Sequence, residues 1–306
     1  MTIAYVFPGQ GSQTVGMGAR LAAVSPAAQR TFAEADEVLG IALSRLCWEG
    51  PDEELTATMN AQPALLTSSI AAWRAGVEDG LWEAEPPRFV AGHSLGEYAA
   101  LVVAGALTFP DALRLVRRRG ELMQQCGVAC PSTMAAVLGL DERTVETICA
   151  ETGAEVANVN APGQVGISGP VLAVQRASAL ARERGARRVL PLNVSAAFHS
   201  SVMEPAAQQL AKAVATTPIV DATIPLVANV DAMPIMKAAD LRRELVEQLT
   251  RTVRWQQTIE FLAASGITRL YEVGTGTVLC GLAKRIAPQL EAENPVETAL
   301  GRERAL

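Results

Sequence analysis

The run Gly92-His93-Ser94-Leu95-Gly96 constrains this chain more than any other five residues. It has the form Gly-x-Ser-x-Gly. Arg88-Phe89-Val90-Ala91 before it reads as a short buried strand, and Glu97-Tyr98-Ala99-Ala100-Leu101-Val102 after it reads as a helix. A serine on a sharp turn between strand and helix has its hydroxyl held out for nucleophilic attack. Glycine is needed on either side because a side chain there would meet the neighbouring strand or helix. The bare motif also describes an ordinary glycine-rich turn, so the rest of the chain must supply its partners.

A serine nucleophile needs a base. The chain has two histidines, His93 and His199. Neighbours on an extended segment point to opposite faces, which turns His93 away from the Ser94 hydroxyl. His199, brought in by the fold, is the candidate base. No Asp or Glu between Ser94 and His199 stands in a recognisable motif; Asp111, Glu121, Asp141, Glu142 and Glu146 fall at helix starts or on polar faces. A main-chain carbonyl can orient an imidazole by accepting its Nδ1 proton. The pattern therefore points to a Ser–His dyad.

Composition narrows the class. With 306 residues, 49% of them hydrophobic, the chain can bury a sizeable core in one or two domains. A net charge of −6 argues against a general nucleic-acid binder. The apolar runs are too short or too interrupted to span a bilayer. Met1–Phe7 lacks a basic start and reads as a first core strand rather than a signal peptide. Five cysteines, an odd number without a tight framework, read as reduced thiols in a cytoplasm. Cys126 and Cys130 lack the further ligands a metal would need, so no metal is expected.

The stretch from about Pro131 to Leu192 has a pattern of its own. Thr133–Leu140 reads as a strand, and Asp141 caps a helix through Thr152. Strands follow at Glu155–Asn160 and Gln164–Ser168, joined by the turn Ala161-Pro162-Gly163. Pro170 opens a helix through Arg184, Gly185 ends it, and Arg188–Leu192 closes with a strand. The order β-α-β-β-α-β is that of a ferredoxin-like unit. Apolar strands at Ile3–Phe7, Phe89–Gly92, Pro225–Asn229 and Arg269–Val273, with helical stretches between, predict a mainly parallel sheet around it. The expected division is 1–128 and 195–306 for a large α/β subdomain and 129–194 for a small one inserted in it. The tail Glu291–Leu306 is polar and reads as loosely held.

One arginine is out of place. In the helix Asp111–Met123, Arg119 lies three or four residues from Leu115, Val116, Leu122 and Met123, on the apolar stripe. A buried guanidinium is costly unless something anionic meets it. That partner is either a protein acid or a substrate carboxylate, and the sequence leaves both open. Phe7-Pro8-Gly9-Gln10-Gly11-Ser12-Gln13 follows the first strand but fits neither a Walker loop nor a dinucleotide fingerprint. Such a loop can aim a backbone N–H at the nucleophile. An oxyanion hole needs two donors, and the N–H groups of Leu95 and Gln10 are the candidates.

Together these residues resemble the malonyl-CoA:acyl carrier protein transacylases of fatty acid synthesis and the acyltransferase domains of polyketide synthases. The likeness runs over nearly the whole chain. Its marks are Phe7–Gln13, Gln62-Pro63-Ala64-Leu65, Gly92–Glu97, Arg119-Gly120 with Met123-Gln124, Asn160 with Pro162-Gly163-Gln164, Phe198-His199-Ser200, Asn229-Val230-Asp231 and Glu272-Val273-Gly274. The resemblance implies an α/β-hydrolase-like large subdomain and a ferredoxin-like small one. It implies that Ser94 carries the acyl group, that His199 is the base, and that the main-chain carbonyl of Gln248 orients it. It also implies that Arg119 grips the malonyl carboxylate, with Gln62, Phe198, Asn160 and Met123 around the substrate. Malonyl-CoA would be a substrate, an acyl carrier protein the acceptor, and no cofactor would be required.

Two departures stand out. Ser195-Ala196-Ala197 precedes the Phe-His pair where Val-Ser-Gly-Pro or similar is common, and Thr275 replaces the proline of Glu-Val-Gly-Pro-Gly. Phe198 beside the base matches malonyl-selecting members, since methylmalonyl-selecting ones usually carry serine there. A discrete polyketide acyltransferase or a malonyl loader would use the same chemistry with another carrier. A serine esterase or thioesterase would leave the Arg119 guanidinium unpaired against a neutral ester. An acidic carrier protein needs a basic landing patch on this net-negative chain. The densest is Arg182, Arg184, Arg187 and Arg188, of which Arg184 and Arg187 are the docking candidates.

Overall fold

The computed structural model describes residues 2–82 and 86–302. Its strands are β1 (Ile3–Phe7), β2 (Phe89–Gly92), β3 (Ser132–Leu138), β4 (Glu155–Ala161), β5 (Gln164–Pro170), β6 (Arg188–Pro191), β7 (Leu226–Val227), β8 (Pro234–Ile235), β9 (Arg269–Glu272) and β10 (Glu291–Glu293). They form two sheets, β10-β9-β1-β2-β7-β8 and β4-β5-β3-β6. In the first, every pairing is parallel except β7 with β8. Helices cover both its faces. Ile3, Tyr5 and Phe7 of β1 enter one apolar cluster, and Ala4 and Val6 enter the other. A strand buried on both faces is apolar throughout, which is why β1 shows no polar alternation.

The second sheet is antiparallel. One face is sealed by the helices Glu142–Thr152 and Val171–Glu183, whose Val145, Ile148 and Ala177 pack on Val137, Val165 and Ile167. Asp141 caps the first of these, accepting the Thr144 N–H at 2.9 Å. The order within this unit is β-α-β-β-α-β, and the fold class is the α/β arrangement expected.

Three expectations need correction. The strand expected over Pro225–Asn229 is only Leu226–Val227, because Asn229 turns out of the sheet to bond the Ser94 turn. The arginine-bearing helix is longer, Phe109–Ala129, and starts at Thr108, whose hydroxyl accepts the Asp111 N–H. The tail is not loose at its start. Glu291–Glu293 adds a parallel strand to the sheet edge, and Asn294 and Val296 are buried. Asn294 donates to the carbonyls of Gly274 and Gly276, which ties this segment to the loop after β9. Residues 303–306 lie outside the described residues.

Two features position the site. The loops after β1, β2 and β7 leave from the carboxyl edge of the parallel sheet, the usual ligand face of such sheets. The second sheet is stitched beside them, since Val159 N–H donates to Val253 O and Val253 N–H donates to Ala157 O, each at 2.9 Å.

Candidate active site

Ser94 sits between β2 and the helix Gly96–Val103 with φ 50°, in the left-handed region. A non-glycine residue there is strained by about 1–3 kcal/mol, so its surroundings must hold it. They do so by close packing. A Cβ on Gly92 would lie 1.9 Å from the Gly96 carbonyl carbon, and one on Gly96 would lie 2.1 Å from Phe7 O. Asn229 completes the clamp. Its Oδ1 accepts the Ser94 N–H at 2.7 Å, and its Nδ2 donates to Gly92 O at 2.7 Å.

His199 is the second left-handed residue of the site, with φ 57°. Its Nδ1 lies 2.7 Å from the main-chain oxygen of Gln248, and its Nε2 lies 2.8 Å from Ser94 Oγ. A carbonyl can only accept, so Nδ1 carries the hydrogen and Nε2 is left to accept the serine proton. Burial, then the nearby Arg119 charge, lowers the His199 pKa to about 3, against the bond to Gln248, which raises it. The imidazole is therefore neutral over the physiological range, the state a general base requires. His93 is half-buried, but its Nε2 meets Asn160 Oδ1 at 2.8 Å and its ring lies against Trp255.

Arg119 is 1% exposed. Its Nη1 donates to Gln62 Oε1 at 2.9 Å, and its Nη2 to Gln248 Oε1 at 2.9 Å and Ser94 Oγ at 3.2 Å. Its Nε has no hydrogen-bond partner among the described residues. Among the described residues no carboxylate forms an ion pair with it. Of the two partners left open by the sequence, the protein acid is thus missing from its hydrogen bonds. Neutral amides hold the fork beside the serine.

Ser94, Leu95, Arg119, Met123, Phe198 and His199 border one cavity of about 410 Å³, and Gln10 lies on its rim. The Leu95 and Gln10 N–H groups donate to no protein acceptor among the described residues. Gln10 instead spends its side chain on Thr58 Oγ1, at 3.2 Å. Gln62 stands behind the wall rather than in it, donating to Met123 Sδ at 3.2 Å. Asn160 is also set back, held by His93, while Asn158 takes the wall position. The register of β4 shifts between Val156 and Asn158 and again between Val159 and Ala161. Counting alternate residues along β4 therefore could not tell the two asparagines apart.

Arg184 and Arg187 are not brought to this cavity. Arg184 is paired with Glu151 at 2.6 Å, and Arg187 lies just before β6. The other end of β6 feeds Leu192, Asn193 and Val194 into the cavity wall. At about 3.3 Å per residue the five steps from Arg187 to Leu192 span roughly 16 Å. The sequence reading assigned no role to Asn229, Glu97 or Glu244. The polar Asn229 at the end of the apolar run Pro225–Ala228 is the one available signal.

An acyl transferase domain model matches residues 4–301. The malonyl CoA-acyl carrier protein transacylase of Bacillus subtilis (strain 168) is 47% identical over 294 residues, 94% of this chain and 92% of the relative. A solved acyl carrier protein S-malonyltransferase from Vibrio cholerae superposes with a TM-score of 0.92 at 44% identity, covering 96% of this chain and 97% of the other. A solved complex of a type II PKS acyl-carrier protein with its malonyl-transacylase gives 0.93 at 43% identity, with 99% and 100% covered. Likeness at this level, over almost the full length of both partners, places the chain in the acyl transferase domain family.

Proposed function

We propose that this chain is an [acyl-carrier-protein] S-malonyltransferase, moving malonyl from malonyl-CoA to the phosphopantetheine thiol of an acyl carrier protein. The observation that carries the substrate choice is Arg119, a buried cation that forms no ion pair among the described residues, 3.2 Å from the nucleophile. A planar guanidinium there fits a substrate carboxylate and is wasted on a neutral ester.

In the first half-reaction His199 Nε2 takes the Ser94 proton as Oγ attacks the thioester carbonyl. The oxyanion rests on the N–H groups of Leu95 and Gln10. The C–S bond breaks, and His199 returns its proton to the CoA sulfur, leaving malonyl-Ser94. In the second, the carrier thiol gives its proton to His199 and attacks the ester carbonyl. Ser94 Oγ leaves and recovers the proton. Gln248 O keeps the imidazole aligned, Arg119 fixes the malonyl group, Phe198 and Met123 border it, and Gln62 and Asn160 support that wall from behind. No cofactor enters these steps. The 129–194 unit serves as the small subdomain over the site. The likeness to a PKS carrier-protein complex supports a polyketide carrier as readily as a fatty acid one. Five free cysteines, four of them buried, are consistent with a cytoplasmic setting.

Intact mass after mixing with malonyl-CoA tests the reading. One malonyl adduct is expected on Ser94, lost when a holo carrier protein is added and absent in Ser94→Ala. Steady release of free malonate without a carrier would mark a hydrolase instead, and a Ser94→Ala protein that still acquires the adduct would refute the nucleophile.

A further inference from the structure

Two buried carboxyls lie under the site and take no part in the steps above. Glu97, on the helix Gly96–Val103, is fully buried, and Glu244, on the helix Ala238–Glu247, is 6% exposed. Both accept the same N–H. Asn229 N lies 2.7 Å from Glu97 Oε1 and 2.9 Å from Glu244 Oε1. Oxygens gathered on one hydrogen are close neighbours. Two ionised carboxylates cannot share such a spot without a proton between them.

The pair holds both halves of the catalytic geometry. Through Asn229 it reaches the Ser94 N–H and Gly92 O. Through Gln248, whose Nε2 donates to Glu97 Oε2 and, at 3.0 Å, to Ser94 O, it reaches the residue whose carbonyl orients His199 and whose Oε1 holds Arg119. We infer that Glu97 and Glu244 are positioning residues, a carboxyl–carboxylate pair sharing one proton that sets the Ser94 turn, His199 and Arg119 in register. The inference rests on Ser94 being the nucleophile.

Burial and the acidic groups around the pair favour the shared proton. Burial pushes both carboxyls upward; the Glu244 charge then raises Glu97 and the Asp231 charge raises Glu244, against the N–H bonds that pull both down. Arg119, whose charge favours an ionised carboxylate, and Tyr98 also interact with Glu97. An acid whose folded pKa is raised is fully stabilising below its unfolded value and loses that contribution as pH rises through the folded one. Losing the proton would drive the carboxylates apart and loosen Asn229 and Gln248. His199, at about 3, and Tyr98, at about 12, titrate well outside the range from about pH 6 to 9.

The test is the rate of malonyl-serine formation, by quenched-flow mass measurement, from about pH 6 to 9. Wild type should slow toward the alkaline end. Glu244→Gln mimics the protonated acid, keeps an acceptor for the Asn229 and Val230 N–H groups, and should flatten that decline. Glu97→Gln should be slower by about tenfold or more at every pH, because both Glu97 oxygens accept from donors and an amide turns one of them into a donor. Infrared difference spectra of the wild type should lose a protonated-carboxyl band over the same range, a readout that needs no variant to fold. An unchanged alkaline limb in Glu244→Gln, or no such band, would overturn the inference. A wild type that forms no malonyl-serine would sink the transferase reading first, and this one with it.

Discussion

The two sides of the cavity are built on different principles. On the parallel-sheet side, Ser94, His199 and Arg119 are held by backbone strain, glycine packing and a hydrogen-bonded chain that runs through Asn229 and Gln248. On the antiparallel-sheet side, Met134, Leu192, Val194 and Phe198 supply mostly shape. Phe198 is tied down through its backbone, whose carbonyl accepts from Ser168 Oγ at 2.7 Å and whose N–H donates to Ala196 O at 3.2 Å. Chemistry sits where atoms are fixed to within a few tenths of an ångström, and selectivity sits where side-chain volume can change without disturbing them. Substitutions on the first side should therefore cost rate, and those on the second should change preference.

His199→Ala should show the difference most strongly, with transfer slower by about three to four orders of magnitude. Near-normal transfer would mean that the fixed side does not hold the base. The pH dependence belongs with it. A base whose folded pKa is lowered contributes stability above its unfolded value, near 6.5, and loses it as pH falls toward about 3. The melting temperature should accordingly decline as pH drops through that window, while acylation by wild type should hold until pH nears about 3. An acid limb near the ordinary histidine value would contradict the buried, neutral imidazole.

Arg119→Ala should weaken malonyl-CoA use far more than acetyl-CoA use, by about 2–5 kcal/mol in kcat/KM. Acetyl lacks the carboxylate, so the preference for malonyl should shrink or invert. Equal losses on both substrates, with the fold retained by circular dichroism, would make Arg119 a structural member of the fixed side.

On the shape side, Phe198→Ser should raise methylmalonyl transfer relative to malonyl. One methyl group is worth about 1–3 kcal/mol, so the shift should be partial and the malonyl rate largely kept. A wild type that already prefers methylmalonyl-CoA would break the comparison at this residue. The smallest effect is expected from Arg184→Glu with Arg187→Glu. Arg184 is already paired with Glu151, and Arg187 is remote from the cavity wall. The double variant should raise the carrier-protein KM by no more than a few-fold at low salt, less with added salt, and leave malonyl-serine formation intact. A large rise would move the carrier's landing site to this end of the small sheet.

Much of this was legible in the chain itself. The strand–turn–helix around Ser94, the short list of histidines and the misplaced Arg119 come from local spacing and residue chemistry, which act over a few positions. The β-α-β-β-α-β unit was legible for the same reason, since its caps and turns are local signals such as Asp141 and Pro162-Gly163. The tail was misread because polarity describes a residue's own solvation. It says nothing of the β9 edge that Glu291–Glu293 joins through backbone bonds.

What the sequence alone determined, then, is which groups are available: one serine on an elbow, one histidine free to serve it, one cation that burial must explain. Tertiary structure decided their partners. Glu97, Asn229, Glu244 and Gln248 are separated by up to 151 positions, yet meet within hydrogen-bond reach under the Ser94 turn. Hydrogen bonds act over about 3 Å in space and carry no trace along the chain. Only the folded sheet, by setting its strand ends side by side, turns those separate polar residues into one network.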